Sequence, residues 1–241
     1  MASRRPRIRP RAVPAMFRSM IVFCLFLVLA ATFAPPLRAQ SVGKVVDGVE
    51  RRYNALSALQ MGFEQSMEYA GRKRNLEAGT LYLLRPGKMR WEYSDPAGKI
   101  AISDGKIFRQ YNPNSNQVRQ VALASMTDLR APLSFLLGRM RLRRMFRNLR
   151  LESADGMHVL IGEGRGGQDF YSRVEFDVDP ADYSITGVRI VGRDESINGY
   201  RFSGEETNPT LSASLFEFEA PAGAEVVPLT RSFREVPFEG R

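Results

Sequence analysis

The sequence predicts a mainly β domain, built from antiparallel strands with a few short helices and preceded by an export signal. Residues 61–121 form short runs of alternating apolar and polar side chains separated by turn signals, which is typical of strands joined by hairpins. Helical spacing of apolar residues occurs at 42–59 and 133–137. The first 39 residues combine arginines with an apolar core, as secretory signals do.

The amino-terminal segment begins with a cluster of arginines and continues into an uncharged stretch, 19–37. A short Leu-Arg-Ala sequence that ends at Ala39 places a small residue where a signal peptidase cleaves. We therefore interpret residues 1–39 as a signal peptide that is removed after Ala39. The alternative is a membrane anchor, because the uncharged stretch is nearly long enough to span a bilayer. Two prolines, Pro35 and Pro36, shorten its apolar part and favour the cleaved signal.

Removal of this segment changes both the charge and the cysteine content. The whole chain has a net charge of +9. Seven of these nine charges come from arginines in 1–39, which contain no acid, so the mature chain keeps +2. This small excess gives no reason to expect a nucleic-acid partner. Cys24, the only cysteine, also leaves, so we expect an exported, untethered monomer that is stable without disulfides.

The mature chain opens with a predicted amphipathic helix at 42–59. Apolar side chains recur there at three- and four-residue steps, with charged residues between them. This spacing places a single apolar stripe on one side of the helix, where it can pack on a core. The apolar positions are Val42, Val45, Val46, Val49, Tyr53, Leu56 and Leu59.

The clearest predicted strand is 88–93, because Met89, Trp91 and Tyr93 fall on one face and three charged residues on the other. Many strands with a single apolar face must curl around an interior or stack on a second sheet. Turns are predicted at 71, 85–87, 95–98, 104–105 and 112–114. Later strands are predicted at 157–161, 170–178, 185–191, 199–203 and 214–219.

Between the two sets of strands, residues 126–149 mix apolar side chains with arginines. We predict a short apolar helix at 133–137, with Pro132 near its first turn and Gly138 near its end. The basic continuation, 139–150, is either a second short helix or a lip. Its arginines either steer anionic headgroups or an acidic partner, or simply form a solvated face.

The chemistry-bearing residues do not form a recognisable catalytic or metal-binding set. His158 is the only histidine and lies in an alternating strand, so a structural histidine with satisfied hydrogen bonds is favoured over a ligand or base. The Asp-Gly pairs at 104–105 and 155–156 fit hairpin turns. The glycine-rich run 162–167 is not followed by a Lys-Ser/Thr pair or a helix, so a hairpin loop is predicted. We expect no enzyme activity, no metal and no cofactor.

The stretch 79–93, Gly-Thr-Leu-Tyr-Leu-Leu-Arg-Pro-Gly-Lys-Met-Arg-Trp-Glu-Tyr, closely resembles the outer-membrane lipoprotein carrier (LolA) family. The resemblance continues through Ile-Ser-Asp-Gly-Lys at 102–106 and through 111–118. Phe-Glu-Gln at 63–65 is similar to the family's Phe-x-Gln after its first helix, and 216–223 is similar to its closing strand. Residues 139–200 match only in their strand rhythm.

This resemblance implies an incomplete antiparallel β-barrel covered by short α-helices that form a lid over an apolar cavity. The carrier domain would span 40–227, and we expect the tail 228–241 to be partly disordered. Arg85 would hydrogen-bond to the lid in the closed, empty state; the alternative is an ordinary turn residue before Pro86. The residues expected to line the cavity are Met89, Trp91, Tyr93, Leu133, Phe135 and Leu136.

The resemblance also implies a function, that of a periplasmic carrier for the acyl chains of lipoproteins. Such a carrier receives its cargo from an inner-membrane ATP-driven lipoprotein-releasing complex and delivers it to an outer-membrane lipoprotein acceptor. Each buried methylene is worth about 0.8 kcal/mol, so full burial of the acyl chains would bind them too tightly for release. The carrier must therefore bury the acyl chains only in part. Two alternatives keep the same fold, a carrier of free lipid or glycolipid and a module that senses lipids or lipoproteins.

Overall fold

The computed structural model describes residues 41–125, 140–165 and 171–229 of the chain. These residues contain two α-helices, α1 (Val42–Asn54) and α2 (Leu142–Met145), and two 3-10 turns, Leu123–Ser125 and Ala213–Phe216. The described strands are β1 (Ala58–Tyr69), β2 (Arg72–Leu84), β3 (Lys88–Asp95), β4 (Ile100–Asp104), β5 (Ile107–Asn112), β6 (Gln117–Ala122), β7 (Arg147–Ala154), β8 (Met157–Glu163), β9 (Tyr171–Val178), β10 (Ile185–Gly192), β11 (Ile197–Thr207) and β12 (Glu225–Pro228).

All described strands belong to one sheet, in the order β12-β6-β5-β4-β3-β2-β1-β11-β10-β9-β8-β7. Two antiparallel meanders, β1–β6 and β7–β11, are joined by the pairing of β1 with β11. β12 is the exception, since it runs parallel to β6. The sheet ends at β12 and β7 without closing, which confirms the predicted incomplete antiparallel barrel.

The predicted hairpin turns lie between these strands, and two of them show why Asp-Gly suits such a turn. Between β7 and β8, Asp155 and Gly156 both have positive φ, 51° and 78°, as a two-residue hairpin of this type requires. Between β4 and β5, the Asp104 carboxylate accepts the backbone N–H groups of Lys106 and Ile107 at 2.7 and 2.8 Å. These bonds and the Arg109 guanidinium hold the pKa of Asp104 below its usual range, against the opposing effect of burial.

Helix α1 ends at Asn54, five residues before the predicted end at 59. The reason is a contact that is distant in sequence, because the side chain of Asn208 binds the backbone where the chain leaves the helix and enters β1. Its Oδ1 accepts from the backbone N–H of Ser57 at 2.8 Å and of Ala58 at 3.3 Å. Leu59 therefore keeps its buried position, but on β1. The start is as expected, with the Ser41 hydroxyl accepting from Lys44 N at 3.3 Å.

The apolar stripe of α1 packs on the inner face of the sheet and forms one core with it. Val45, Val46 and Val49 are almost fully buried, as the helical spacing predicts. The sheet contributes its inward-facing side chains, which alternate with polar residues along each strand. They include Leu81, Leu83, Phe108, Leu160, Val174, Phe176 and Val188.

A second, smaller core lies on the outer face of the sheet, and it corrects the predicted strand at 214–219. Ala213–Phe216 is a 3-10 turn, not a strand, and it packs against β3 and β4. Ile102 on β4 and Phe216 are 1% and 2% exposed. The outward-facing apolar side chain of Ile102 needs a cover, and the turn supplies it. The backbone of this turn is held by Arg90, whose Nη1 donates to the carbonyl of Leu215 at 3.2 Å.

Several predicted segments lie outside the described residues, namely the signal peptide 1–39, the apolar helix 133–137 and the tail from 230 onward. The basic stretch 139–150 forms α2 and the beginning of β7 from Met140 onward. At the other end, Pro228 ends β12, and Leu229 N donates to Gln120 O at 2.7 Å. Among the described helices, none is long and apolar enough to cross a membrane.

Candidate functional site

The predicted cavity residues of β3 lie on the inner face of the sheet. Met89, Trp91 and Tyr93 are 7%, 4% and 8% exposed, whereas the alternate side chains of the strand face outward. Trp91 lies opposite Leu81 of β2 and Ala101 of β4. The structure thus brings these three residues together, while Leu133, Phe135 and Leu136 lie outside the described residues.

An aromatic cluster surrounds Trp91, and it is formed by residues from three different strands. The ring of Phe63 on β1 lies 4.7 Å from that of Trp91 and 5.1 Å from that of Tyr93, edge-on in both cases. Tyr200 on β11 lies 5.7 Å from Trp91, and Phe202 stacks on Tyr200 at 6.5 Å. Such pairs contribute about 0.5–1.5 kcal/mol each beyond the burial of their surface. The cluster therefore contributes favourable ring contacts to the packing of the interior.

The two tyrosines of the cluster stay neutral, so neither adds a charge to the interior. Burial, assisted by the carboxylate of Glu77, raises the pKa of Tyr93 and that of Tyr200 above the usual range. Glu77 itself pairs with Lys99, whose ammonium lies 4.4 Å from the centre of the Tyr93 ring. This ion pair closes one end of the cluster and leaves a neutral surface behind it.

Helix α1 is fixed to the sheet by a polar node at Tyr53. The Tyr53 hydroxyl donates to Glu205 Oε2 and accepts from the backbone N–H of Ile185, each at 2.8 Å. Arg52 pairs with the same carboxylate and with Asp182, at 3.2 Å from the latter. Burial raises the pKa of Tyr53, so the hydroxyl keeps its proton and donates it to Glu205. The node joins the helix to β11 and to the turn before β10.

Tyr53→Phe is expected to lower the free energy of unfolding by about 2–3 kcal/mol. It removes a hydrogen bond to a carboxylate and leaves the buried N–H of Ile185 without an acceptor. Urea unfolding measures the loss. Tyr82→Phe is the control, because no hydrogen bond of the Tyr82 hydroxyl is found within the described residues. Equal stabilities of the two variants would show that the node contributes nothing.

Arg85 lies in the turn between β2 and β3, beside the end of α1. Its N–H donates to the carbonyl of Ser57 at 2.9 Å, and its half-buried side chain lines a cavity of about 10 Å³. The other lining residues are Tyr53, Leu56, Ser57, Ala58, Leu59 and Leu83. Burial lowers the pKa of Arg85 from its ordinary value, and a guanidinium keeps its charge in proteins. A permanent cation is thus held at the edge of the apolar interior.

Described residues on either side of 126–139 lie close to this edge. On the entering side, a Cβ atom built on Gly87, two residues after Arg85, would lie 3.5 Å from Leu123 Cδ2. On the leaving side, Asn54 at the end of α1 exchanges two hydrogen bonds with the backbone of Met140, at 3.0 and 2.7 Å. Glu50 accepts from Leu142 N at 2.7 Å. Leu123 and Met140, which are described on either side of 126–139, therefore both lie on the side of the turn that contains Arg85.

The described residues contain no group of three or more His, Cys, Asp and Glu side chains that could hold a metal ion. His158 lies on β8 between Ser153 of β7 and Val178 of β9. Its Nε2 is buried and finds no hydrogen-bond partner among the described residues, so the expected satisfied histidine is wrong for this nitrogen. Nothing described beside it supplies the second group of a catalytic pair.

Sequence reasoning missed Phe63, Tyr200 and Phe202 as members of the interior. Phe63 was noted only as part of a resemblance at 63–65, and the other two lie in the strand predicted at 199–203. Their alternation was a usable signal, because Tyr200 and Phe202 are two residues apart and share a face when the strand is extended. Their contact with Trp91, however, depends on the pairing of β1 with β11, which is not local in sequence.

A family model for the outer membrane lipoprotein carrier protein LolA matches residues 54–219. The chain belongs to the LolA family. A relative from Dechloromonas aromatica (strain RCB), an outer-membrane lipoprotein carrier protein, is 28% identical over 201 residues, 83% of this chain and 95% of the relative. A protein of the same name from Bordetella avium (strain 197N) is 31% identical over 162 residues, 65% of this chain and 74% of the relative.

Among solved structures, an uncharacterized conserved protein from Thermus thermophilus is similar with a TM-score of 0.49 and 15% identity, covering 78% of this chain and 99% of that one. The LolA match begins at the last residue of α1 and extends through the outer-face turn. It includes Arg85, the aromatic cluster and the Met140 anchor. Most of α1 and all of β12 lie beyond it.

Proposed function

We propose that this chain is a periplasmic carrier that binds the acyl chains of lipoproteins in its apolar interior and moves them from the inner to the outer membrane. The observation that carries the proposal is the unclosed sheet, whose neutral, aromatic inner face is covered by helix α1. An open sheet of this kind can present a continuous apolar surface to a ligand once its cover moves. Relatives named as lipoprotein carriers support this choice of cargo.

The packed interior suits a carrier that must also release its cargo. The interior already contains ring–ring contacts among Phe63, Trp91, Tyr93 and Tyr200. An acyl chain that enters has to displace some of these contacts. The lost contacts offset part of the transfer energy of about 0.8 kcal/mol per methylene. The net affinity is then moderate, and an acceptor with a more open apolar site can withdraw the cargo.

Arg85 is the proposed latch of this interior. It lies in the β2–β3 turn, close to the described residues that flank 126–139. Its guanidinium has five N–H groups that can donate to backbone carbonyls. We infer that these bonds favour the covered state without cargo, and that loading breaks them. The predicted helix at 133–137 would be the part of the cover that contributes Leu133, Phe135 and Leu136 to the cavity.

The proposed partners follow from the proposed route. An inner-membrane ATP-driven lipoprotein-releasing complex would load the carrier, and an outer-membrane lipoprotein acceptor would unload it. No enzymatic step is needed, since the cargo only changes its apolar surroundings. The alternative cargo on the same fold is a free lipid or glycolipid, and mass spectrometry of ligands co-purified from the periplasm distinguishes the two.

Trp91 gives a direct test, because it is the only tryptophan of the chain. A lipopeptide with brominated acyl chains is expected to quench its emission if acyl chains enter the aromatic cluster, and an unbrominated lipopeptide to shift it. Bromine quenches only at short range, so the peptide part alone serves as the control. An apolar dye should compete with the lipopeptide. Binding of lipopeptide without quenching would place the acyl chains elsewhere and overturn the proposed site.

A further inference from the structure

Helix α1 presents cations to solvent on the side opposite its valine stripe. At 100° per residue, Lys44 and Arg51 lie on one line, about 180° from the centre of the buried stripe, and the buried Gly48 lies between them under the ring of Tyr183. Lys44 and Arg51 are both exposed. Neither forms an ion pair within the described part of the chain. The helix that covers the interior is therefore basic on its outer surface.

Helix α2 adds further cations to the same surface, because its polar contacts hold it along α1. Arg143 pairs with Asp47 at 2.7 Å and donates to the carbonyl of Gly43 at 3.2 Å. Arg165, after β8, donates to the carbonyl of Arg143. Arg141 and Arg144 flank Arg143 and are exposed. We call these six cations the basic surface: Lys44, Arg51, Arg141, Arg143, Arg144 and Arg165.

Two carboxylates, Asp47 and Glu50, lie within this surface and offset two of its six positive charges, which leaves a net charge of +4. Asp47 is paired with Arg143, and Glu50 accepts from the backbone of Leu142. Arg141 and Arg144, like the two cations of α1, have no carboxylate within 4 Å among the residues that the structure describes. Positive charge is therefore concentrated on this surface, since the whole mature chain has a net charge of only +2.

We propose that the basic surface docks the protein on a bilayer that contains anionic phospholipids. Five of its six cations are arginines, whose planar guanidinium groups match the oxygens of phosphate in pairs. The exposed large apolar side chains among the described residues are Tyr69 and Val226, which belong to β1 and β12. Protein partners are usually anchored by aromatic residues that stand free at the centre of the contact, whereas the aromatic ring described here, that of Tyr183, is half-buried and packs on Gly48. The basic surface therefore suits a charged plane of headgroups, bound without insertion and released easily.

Docking of this kind has a geometric consequence for the interior. Most of the basic surface lies on or beside α1 and α2, and the valine stripe of α1 packs on the apolar core. A bound bilayer would face that side of the molecule, where an acyl chain has to pass. Docking does not depend on the proposed function, because adsorption to lipid without any lipoprotein is a separate measurement from cargo binding.

The test is flotation of chain 40–241, one compact unit of the structure, with phosphatidylcholine vesicles that contain or lack phosphatidylglycerol. Binding is expected only to the anionic vesicles, and to disappear between about 0.1 M and about 1 M salt, where the screening length falls from about 10 to about 3 Å. Arg51→Gln with Arg144→Gln should weaken it by about twenty-fivefold, since each cation near an anionic bilayer contributes about fivefold. Neither residue is placed in the apolar interior, so dye uptake should be unchanged.

The matched control is Arg72→Gln with Lys73→Gln, at the exposed hairpin between β1 and β2. It removes the same charge from the far end of a twelve-residue strand, roughly 40 Å from the helix that precedes β1. Binding within about twofold of wild type is expected. Equal weakening by both pairs would mean that net charge alone acts, and would overturn the proposal. Failure of the wild-type protein to bind anionic vesicles would also overturn the proposal. Polyglutamate is the acidic, protein-like probe: if the Arg51/Arg144 substitutions weaken binding to polyglutamate but the protein does not bind vesicles, the surface recognises an acidic protein and not a bilayer.

Discussion

Replacing Trp91 with alanine is expected to lower the free energy of unfolding by about 3–5 kcal/mol, the usual cost of deleting a buried aromatic side chain. Trp91 is 4% exposed and touches the rings of Phe63 and Tyr200 edge-on. The loss combines apolar surface that is no longer buried with a cavity that neighbours on paired strands cannot fill. Since small domains have only about 5–15 kcal/mol in total, this is a large fraction of the stability.

The same substitution is expected to increase the affinity for a small apolar dye, because the cavity enlarges the space that the aromatic cluster normally fills. Urea unfolding followed by circular dichroism measures stability without the lost fluorophore. Tyr69→Ala, at a residue 47% exposed, is the control and should cost less than about 1 kcal/mol. Trp91→Phe is the substitute if the alanine variant does not fold. It should show a smaller loss of stability and a smaller gain in dye affinity.

A destabilised Trp91 variant that binds no additional dye would separate the aromatic cluster from the ligand site. A variant as stable as the wild type would contradict the burial itself. The first result would contradict the proposed function, and the second would contradict the packing of Trp91.

The strands were predictable because alternation is a local property. In β3, the order Met-Arg-Trp-Glu-Tyr places apolar and charged side chains on opposite faces whatever the rest of the fold does. Asp-Gly at 155–156 adopts two positive φ angles, a conformation that these residue types tolerate better than others. The elements and their inward faces thus follow from short stretches of sequence.

The misplaced boundaries result from contacts that are distant in sequence. Helical spacing continues to Leu59, yet the helix stops at Asn54 because Asn208 binds the backbone of Ser57 and Ala58. Likewise, alternation in 216–219 predicts a strand, but the outer face of β3 and β4 holds Phe216 in a 3-10 turn. In both cases the local pattern was real, and tertiary contacts decided the backbone conformation.

The candidate site was predicted only in part, for the same reason. The resemblance at 79–93 identified Arg85 and the inner face of β3 together. The sequence does not show that Phe63 and Tyr200 complete the cluster, since this requires β11 to pair with β1. Nor does it show the Tyr53–Glu205 node, whose partners are 152 positions apart. A pattern on one strand cannot specify which strand lies beside it.

Arg85→Leu is expected to slow the release of cargo by about fivefold to 150-fold while leaving the sheet intact. The turn places the guanidinium at the edge of the interior, near the described residues that flank 126–139. Hydrogen bonds from a charged group contribute about 1–3 kcal/mol, and their loss weakens the covered, empty state by that amount. Loading and release share one equilibrium between covered and open states, so a weaker covered state means tighter retention of cargo.

Leucine acts in the same direction through a second effect, since it adds apolar surface where Leu56, Leu59 and Leu83 already line the small cavity beside Arg85. Arg85→Lys separates the two contributions. It retains the charge without adding apolar surface, but it has three donors on one nitrogen where arginine has a planar fork. If the latch depends on the fork, lysine should retain cargo to an intermediate degree; if apolar surface dominates, it should release cargo like the wild type.

The measurement is transfer of a labelled lipoprotein from the carrier to outer-membrane vesicles, with Arg72→Leu as the control at an exposed arginine of the β1–β2 hairpin. Thermal melting of each variant shows whether the fold is intact, because a latch residue affects the open–covered equilibrium more than the sheet. Retention by Arg85→Leu with a wild-type melting temperature supports the latch. Release at the wild-type rate from an equally stable variant would mean that Arg85 only forms the turn, and that other contacts, such as those of Asn54 and Glu50 with the 140–142 backbone, keep the interior covered.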